Sequence, residues 1–144
     1  MVFNTTHTNE DYDQHVLKTV GPGYALIERL KMGRIGSRRM IINDISKGFW
    51  PFRNQNEDLR YGNIELRQNG IIVHLAIGRL RIGWVIPYRE LFVFDSETFS
   101  LHGHGLFVKF EKGRHYHENK SFIRKMMNER LKCLEQYTLP HDLI

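Results

Sequence analysis

The chain has 144 residues, 41% of them hydrophobic and 26% charged, with a formal net charge of +5. These figures fit one folded domain with a real core and exclude a disordered chain. A single cysteine, Cys133, rules out an internal disulfide and a cysteine-built zinc ribbon and fits a reducing compartment.

No basic and apolar leader opens the sequence, and no stretch approaches the ~20 apolar residues of a membrane span. A cytoplasmic protein is expected. The charge excess is spread evenly: +2 over residues 1–60, +1 over 61–118 and +2 over 119–144. An even excess aids solubility and focuses no strong field. The local exception is Arg29, Lys31, Arg34, Arg38 and Arg39, which are five cations in eleven residues with no acid among them.

In chain order, residues 1–13 are polar and read as a loose arm. Val16, Leu17 and Val20 have helical spacing, and Gly21-Pro22-Gly23 ends that helix. Tyr24 to Met32 resumes it, with Tyr24, Ile27 and Leu30 on one face, Leu26 beside them and Gly33 as terminator. Arg38 to Ile45 fits a strand or a helical turn. Phe49-Trp50-Pro51-Phe52 reads as an extended aromatic plug, because Pro51 disfavours helix at Trp50, and Trp50 and Phe52 are expected to anchor it. Arg53 to Tyr61 reads as a connecting loop.

From Asn63 the period becomes two. Ile64 and Leu66 alternate with Glu65 and Arg67, and Asn69-Gly70 signals a hairpin. The return strand puts Ile71, Val73, Leu75 and Ile77 on one face. After a bend at Gly78, Leu80, Ile82, Trp84 and Ile86 face inward, with Arg79, Arg81 and Gly83 toward solvent. Glu90 to Phe94 is apolar on both faces and is expected to be covered twice. Thr98–Leu101 and Leu106–Glu111 pair across His102-Gly103-His104-Gly105. Lys112–Glu118 reads as a polar loop and Asn119 as an N-cap. The closing helix, Asn119 to Tyr137, carries Phe122, Ile123, Met126, Met127, Leu131 and Leu134 as its buried stripe. Thr138–Ile144 should fray.

The run Trp84-Val85-Ile86-Pro87-Tyr88-Arg89-Glu90-Leu91, followed by Phe92-Val93-Phe94, resembles the bacterial pleckstrin-homology-like domains. The hairpin at Asn69-Gly70 and the closing helix fit the same plan, and the resemblance covers about residues 61–137. It implies an α+β, mainly antiparallel fold: a barrel or roll of six to seven strands capped by a C-terminal helix. Six strands are countable, and the seventh would come from Arg38–Ile45. Residues 1–60 would be a partly helical extension packed on the barrel formed by 61–144. Relatives that bind phosphoinositides carry cations across the first hairpin, and Arg67, Arg79 and Arg81 are the corresponding residues here. Arg79 and Arg81 fall past Gly78, on the third strand. The likeness implies a scaffold more than a ligand.

Two histidine pairs, His102/His104 and His115/His117, have strand spacing that could serve zinc. They lie at opposite ends of one strand, roughly 20 Å apart, so ordinary turn histidines are expected. The sequence carries no Walker loop, dinucleotide fingerprint, zincin motif or nucleophile elbow. Cys133 sits among core positions of the last helix and reads as a half-buried thiol. The expectation is therefore a non-catalytic binding module without a cofactor. Its partner would be a protein or an acidic, phosphate-bearing ligand, with Arg67, Arg79 and Arg81 as contacts. The alternative is a nucleic-acid-binding protein using the basic segment, chiefly Arg34, Arg38 and Arg39.

Overall fold

A computed structural model describes residues 1–7, 9–52 and 59–142, with side chains placed except in 50–60 and 137–142. Among the described residues, eight strands form one open antiparallel sheet. They are β1 (Val2–Asn4), β2 (Met40–Ile45), β3 (Leu59–Arg67), β4 (Gly70–Ile77), β5 (Leu80–Pro87), β6 (Phe92–Asp95), β7 (Thr98–Gly103) and β8 (Leu106–Glu111). Their order across the sheet is β1-β5-β4-β3-β2-β8-β7-β6. The helices are α1 (Glu10–Thr19), α2 (Leu26–Met32), α3 (Arg114–Glu118) and α4 (Lys120–Asp142). No described helix is long and apolar enough to cross a membrane.

The alternation read from the sequence sets the inner face. Ile64, Leu66, Ile71, Val73, Ile77, Ile82, Trp84 and Ile86 are all fully buried in one core with Leu75. From α4 this core receives Phe122, Met126 and Cys133, so the last helix closes over the sheet as expected. Leu131, expected on that stripe, is exposed. The ambiguous Arg38–Ile45 segment contains strand β2, which pairs with β3 on one side and β8 on the other. The hairpin at Asn69-Gly70 forms one residue early. Gln68 and Asn69 make the turn, while Gly70 already pairs with Arg67. There Gly70 lies against the backbone of Pro87, leaving no room for a Cβ.

Several expectations need correction. The strand count is eight, not six to seven, because the supposed loose arm contains β1, which pairs with β5 at Val2↔Trp84. Residues 10–13 of that arm begin α1, capped by Asn9, whose side chain accepts from the Tyr12 N–H. Gly83 does not face solvent: a Cβ there would lie 3.0 Å from the Tyr12 ring. Phe49 to Phe52 lies in a 3-10 turn rather than an extended plug. Phe49 is fully buried edge-on to Trp84, while the Trp50 and Phe52 side chains and residues 53–58 of the expected loop lie outside the described residues.

The strand expected to be covered twice is the edge strand β6, with Phe92 and Phe94 exposed. The Lys112–Glu118 loop instead contains α3, because the phenol of Tyr116 reaches down to Asp95 at 2.9 Å. Asn119 stands at the N-cap position of α4, its carbonyl accepting from Ile123 N–H at 2.9 Å, while its side chain turns away from the first turn. Its carboxamide accepts from Arg38 N–H and donates to the carbonyls of Arg38 and His115, pinning the helix start to the approach to β2. α4 runs on to Asp142, through most of the stretch expected to fray, and residues 143–144 lie outside the described residues.

Candidate functional site

Period-two alternation puts Tyr61, Asn63, Glu65 and Arg67 of β3 on the face opposite the core. Their neighbours across the ladder are Ala76, His74, Ile72 and Gly70. Further out, α1 covers part of this face, burying Val16 and Val20 against Ile72 and Val85. On the β2 side of β3, the chain after α2 runs close to the strand. Gly36 bridges Glu65, Leu66 N–H donates to Ile35 O at 2.7 Å, and Ser37 N–H donates to Ile64 O at 2.8 Å. A groove remains between these covers, with β3 as its floor.

The groove has two adjoining hollows that share Asn63 and His74. The larger, about 710 Å³, is lined by Arg29, Arg34, Arg67, Glu65 and Tyr24 among others. The smaller, about 530 Å³, holds Arg39, Tyr61 and Arg81. Arg39 lies over the Tyr61 ring, 5.6 Å from its centroid.

Arg67 is the most firmly positioned of these cations. Its Nε donates to Glu65 Oε2 at 2.6 Å, and Glu65 Oε1 is 3.0 Å from His74 Nε2. Its carbonyl accepts from the phenols of Tyr24 at 3.1 Å and Tyr88 at 3.4 Å. Beyond Glu65 the guanidinium runs past Gly23, where a Cβ would stand 3.6 Å from one terminal nitrogen. Burial raises the Glu65 carboxyl pKa, but the His74 hydrogen bond and the Arg67 charge outweigh it and hold the group below its ordinary value. Burial pushes the Tyr24 phenol up to about 12, with Glu129 adding to the rise, so it stays a hydrogen-bond donor. The cluster is thus an ionised carboxylate steering a fixed guanidinium, with more guanidinium groups close by. Such an array can bind an anion. No family model, no curated protein and no solved structure matches this chain.

The expected ligand trio is not brought together. Arg67 pairs with Gly70 at one end of β4, whereas Arg81 pairs with Ala76 near the other. Six residues at ~3.3 Å put them roughly 20 Å apart, and Arg79 is in the turn beyond. The basic segment is divided as well. Arg34 faces the larger hollow, Arg39 the smaller, and Arg38 a separate hollow at the start of α4 shared with Arg34 and Lys125.

The histidine pairs also separate. His102 is 3.0 Å from Ser100 Oγ and His104 pairs with Glu90, while His115 and His117 lie on α3 rather than a strand. Among the described residues, no group of three or more His, Cys, Asp or Glu side chains gathers as a metal site would require. Cys133 is buried, which raises its thiol pKa.

Glu65 and His74 were not singled out from the sequence. Their signal was the hairpin register: a turn at residues 68–69 places Asn63 opposite His74 and makes Glu65 its diagonal neighbour.

Proposed function

We propose that this protein is a binding module, not a catalyst, whose ligand is a phosphate-bearing anion held in the groove over β3. Arg67 is the central contact, with Arg29 and Arg34 closing from the α2 side. The observation that carries this reading is that three arginines, from β3, α2 and the turn after it, line one hollow. Arg39 and Arg81 offer a second, weaker contact in the adjoining hollow.

The scaffold also fits a pleckstrin-homology-like roll. Leaving β1 aside, β2 to β8 form a seven-strand succession followed by α4, in the order that a rolled meander takes. Under this reading β1 is an added edge strand beside β5, and α1 an added cover on the outer face.

Titration with inorganic pyrophosphate, followed by calorimetry, tests the site. Binding should weaken as salt rises and fall about tenfold or more in Arg67→Ala, since a charge-assisted contact contributes about 1.5–3 kcal/mol. Absence of heat at low salt would eliminate the reading. The nucleic-acid alternative draws on Arg34, Arg38 and Arg39, of which Arg34 and Arg38 share the hollow at the start of α4 while Arg39 lines a different one. A gel shift of single-stranded RNA abolished by Arg38→Ala with Arg39→Ala, and untouched by Arg67→Ala, would favour that alternative.

A further inference from the structure

Helix α2 buries none of its residues. Leu26, Ile27 and Leu30 are 71%, 68% and 77% exposed, the three most exposed large hydrophobic side chains among the described residues. At about 100° per residue they share one continuous arc, with Arg29 on one flank, Lys31 on the other and Met32 opposite. Met32 packs against the main core, so the apolar arc points away from the body.

The helix is not loosely attached. Tyr24 just before it donates to Arg67 O, Ile35 just after it packs on the core, and Lys125 of α4 donates to Arg34 O at 2.8 Å. A short helix in a folded protein normally owes its stability to its packed apolar stripe. Here that stripe contributes nothing to packing, so its three aliphatic side chains are available to a partner.

We infer that α2 is a membrane-contact helix, which lays Leu26, Ile27 and Leu30 into the acyl boundary of an anionic lipid bilayer. Charge complementarity decides the occupant. An apolar arc flanked by cations matches a surface that is greasy below and anionic above, which describes an acidic lipid leaflet. The flanking Arg29 and Lys31 would meet headgroup phosphates, with Arg34 just beyond the helix. A nucleic acid would take the cations but offer nothing to the aliphatic chains. The contact proposed is a surface one, made by the three side chains of the arc. This inference goes beyond the anion groove: it stands on the exposed arc of Leu26, Ile27 and Leu30, and shares with the groove only Arg29 and Arg34 at their common border.

The test is co-sedimentation of the full chain with phosphatidylcholine vesicles, with and without phosphatidylserine. The chain should pellet with the phosphatidylserine vesicles and much less with phosphatidylcholine alone. Leu26→Ser combined with Leu30→Glu should weaken the partition by about a hundredfold, because two buried aliphatic groups are lost. The same variant should bind pyrophosphate as the unaltered chain does. In Leu30→Trp, adding phosphatidylserine vesicles should blue-shift the extra tryptophan emission.

Failure to pellet, or equal pelleting of the double variant, overturns the inference. So does a concentration-dependent dimer that Leu30→Glu converts to monomer, since it would make the arc a self-interface. Vesicle binding by a chain indifferent to pyrophosphate supports the membrane contact and removes the groove reading instead.

Discussion

Helices α1 and α2 start from similar sequence patterns and end in opposite environments. Each is short, each follows the 3.6-residue period, and each carries aliphatic residues on one face. In α1 that face is mostly covered: Val16 and the C-capping Val20 are buried against Ile72 and Val85 of the sheet, and Leu17 alone stays exposed. In α2 it is bare, and only the opposite side touches the protein. Periodicity says that a helix has an apolar side; it does not say what lies against it. What decides is the shape of the surface available. Gly83 leaves a shallow seat for Tyr12 and so lets α1 settle on β4 and β5, whereas α2 lies beside an arginine-lined groove.

The contrast can be broken most forcefully under α1. Ile72→Ala removes a fully buried side chain beneath that helix and should cost about 2–5 kcal/mol, measured by urea unfolding. Tyr24→Phe tests how α2 is held. It removes the phenol donor to Arg67 O while leaving that of Tyr88, and should cost about 1 kcal/mol.

A pH series separates the groove from the rest of the fold. Glu65 has a folded pKa below its ordinary value of 4.5, so its contribution to stability is present above that pH and is lost as pH falls through the folded value. Glu65→Gln should therefore flatten the acid limb of the stability curve, read from unfolding midpoints between about pH 5 and pH 2. The smallest effect belongs to the arc itself. Leu30→Ala should change stability by less than about 0.5 kcal/mol, because an exposed side chain loses no packing. A large loss there would mean that α2 docks after all.

The inner face of the sheet was readable because burial imposes a period of two, which Ile64, Leu66, Ile71, Val73, Leu75 and Ile77 follow; Ile72 and Val85 break it because α1 buries them on the other face. Strand β1 was not readable. Val2 and Phe3 are two apolar residues in a polar stretch, and their partner β5 lies some eighty residues on. Helix α3 was hidden for a similar reason, since Tyr116 alone among Arg, His and Glu supplies its buried contact. The sheet order explains β6: Phe92 and Phe94 sit on an edge strand, where nothing in their own spacing reports the missing neighbour. Of the site, Arg67 and the basic segment stood out as charges. Their meeting across Gly36 and Glu65 is a long-range contact that no local pattern encodes. Glu65 and His74 could have been inferred once the turn was fixed at residues 68–69.

Strand β2 has a consequence for how the chain is made. It is the seam of the sheet, bonded to β3 through Met40↔Gly62 and to β8 through Ile42↔Phe110. During synthesis the hairpins of β3, β4 and β5 can zip as they emerge, while the far side of β2 stays open until residue 110 leaves the ribosome. An open strand edge is sticky. A chain halted before β8 should accumulate as insoluble aggregate.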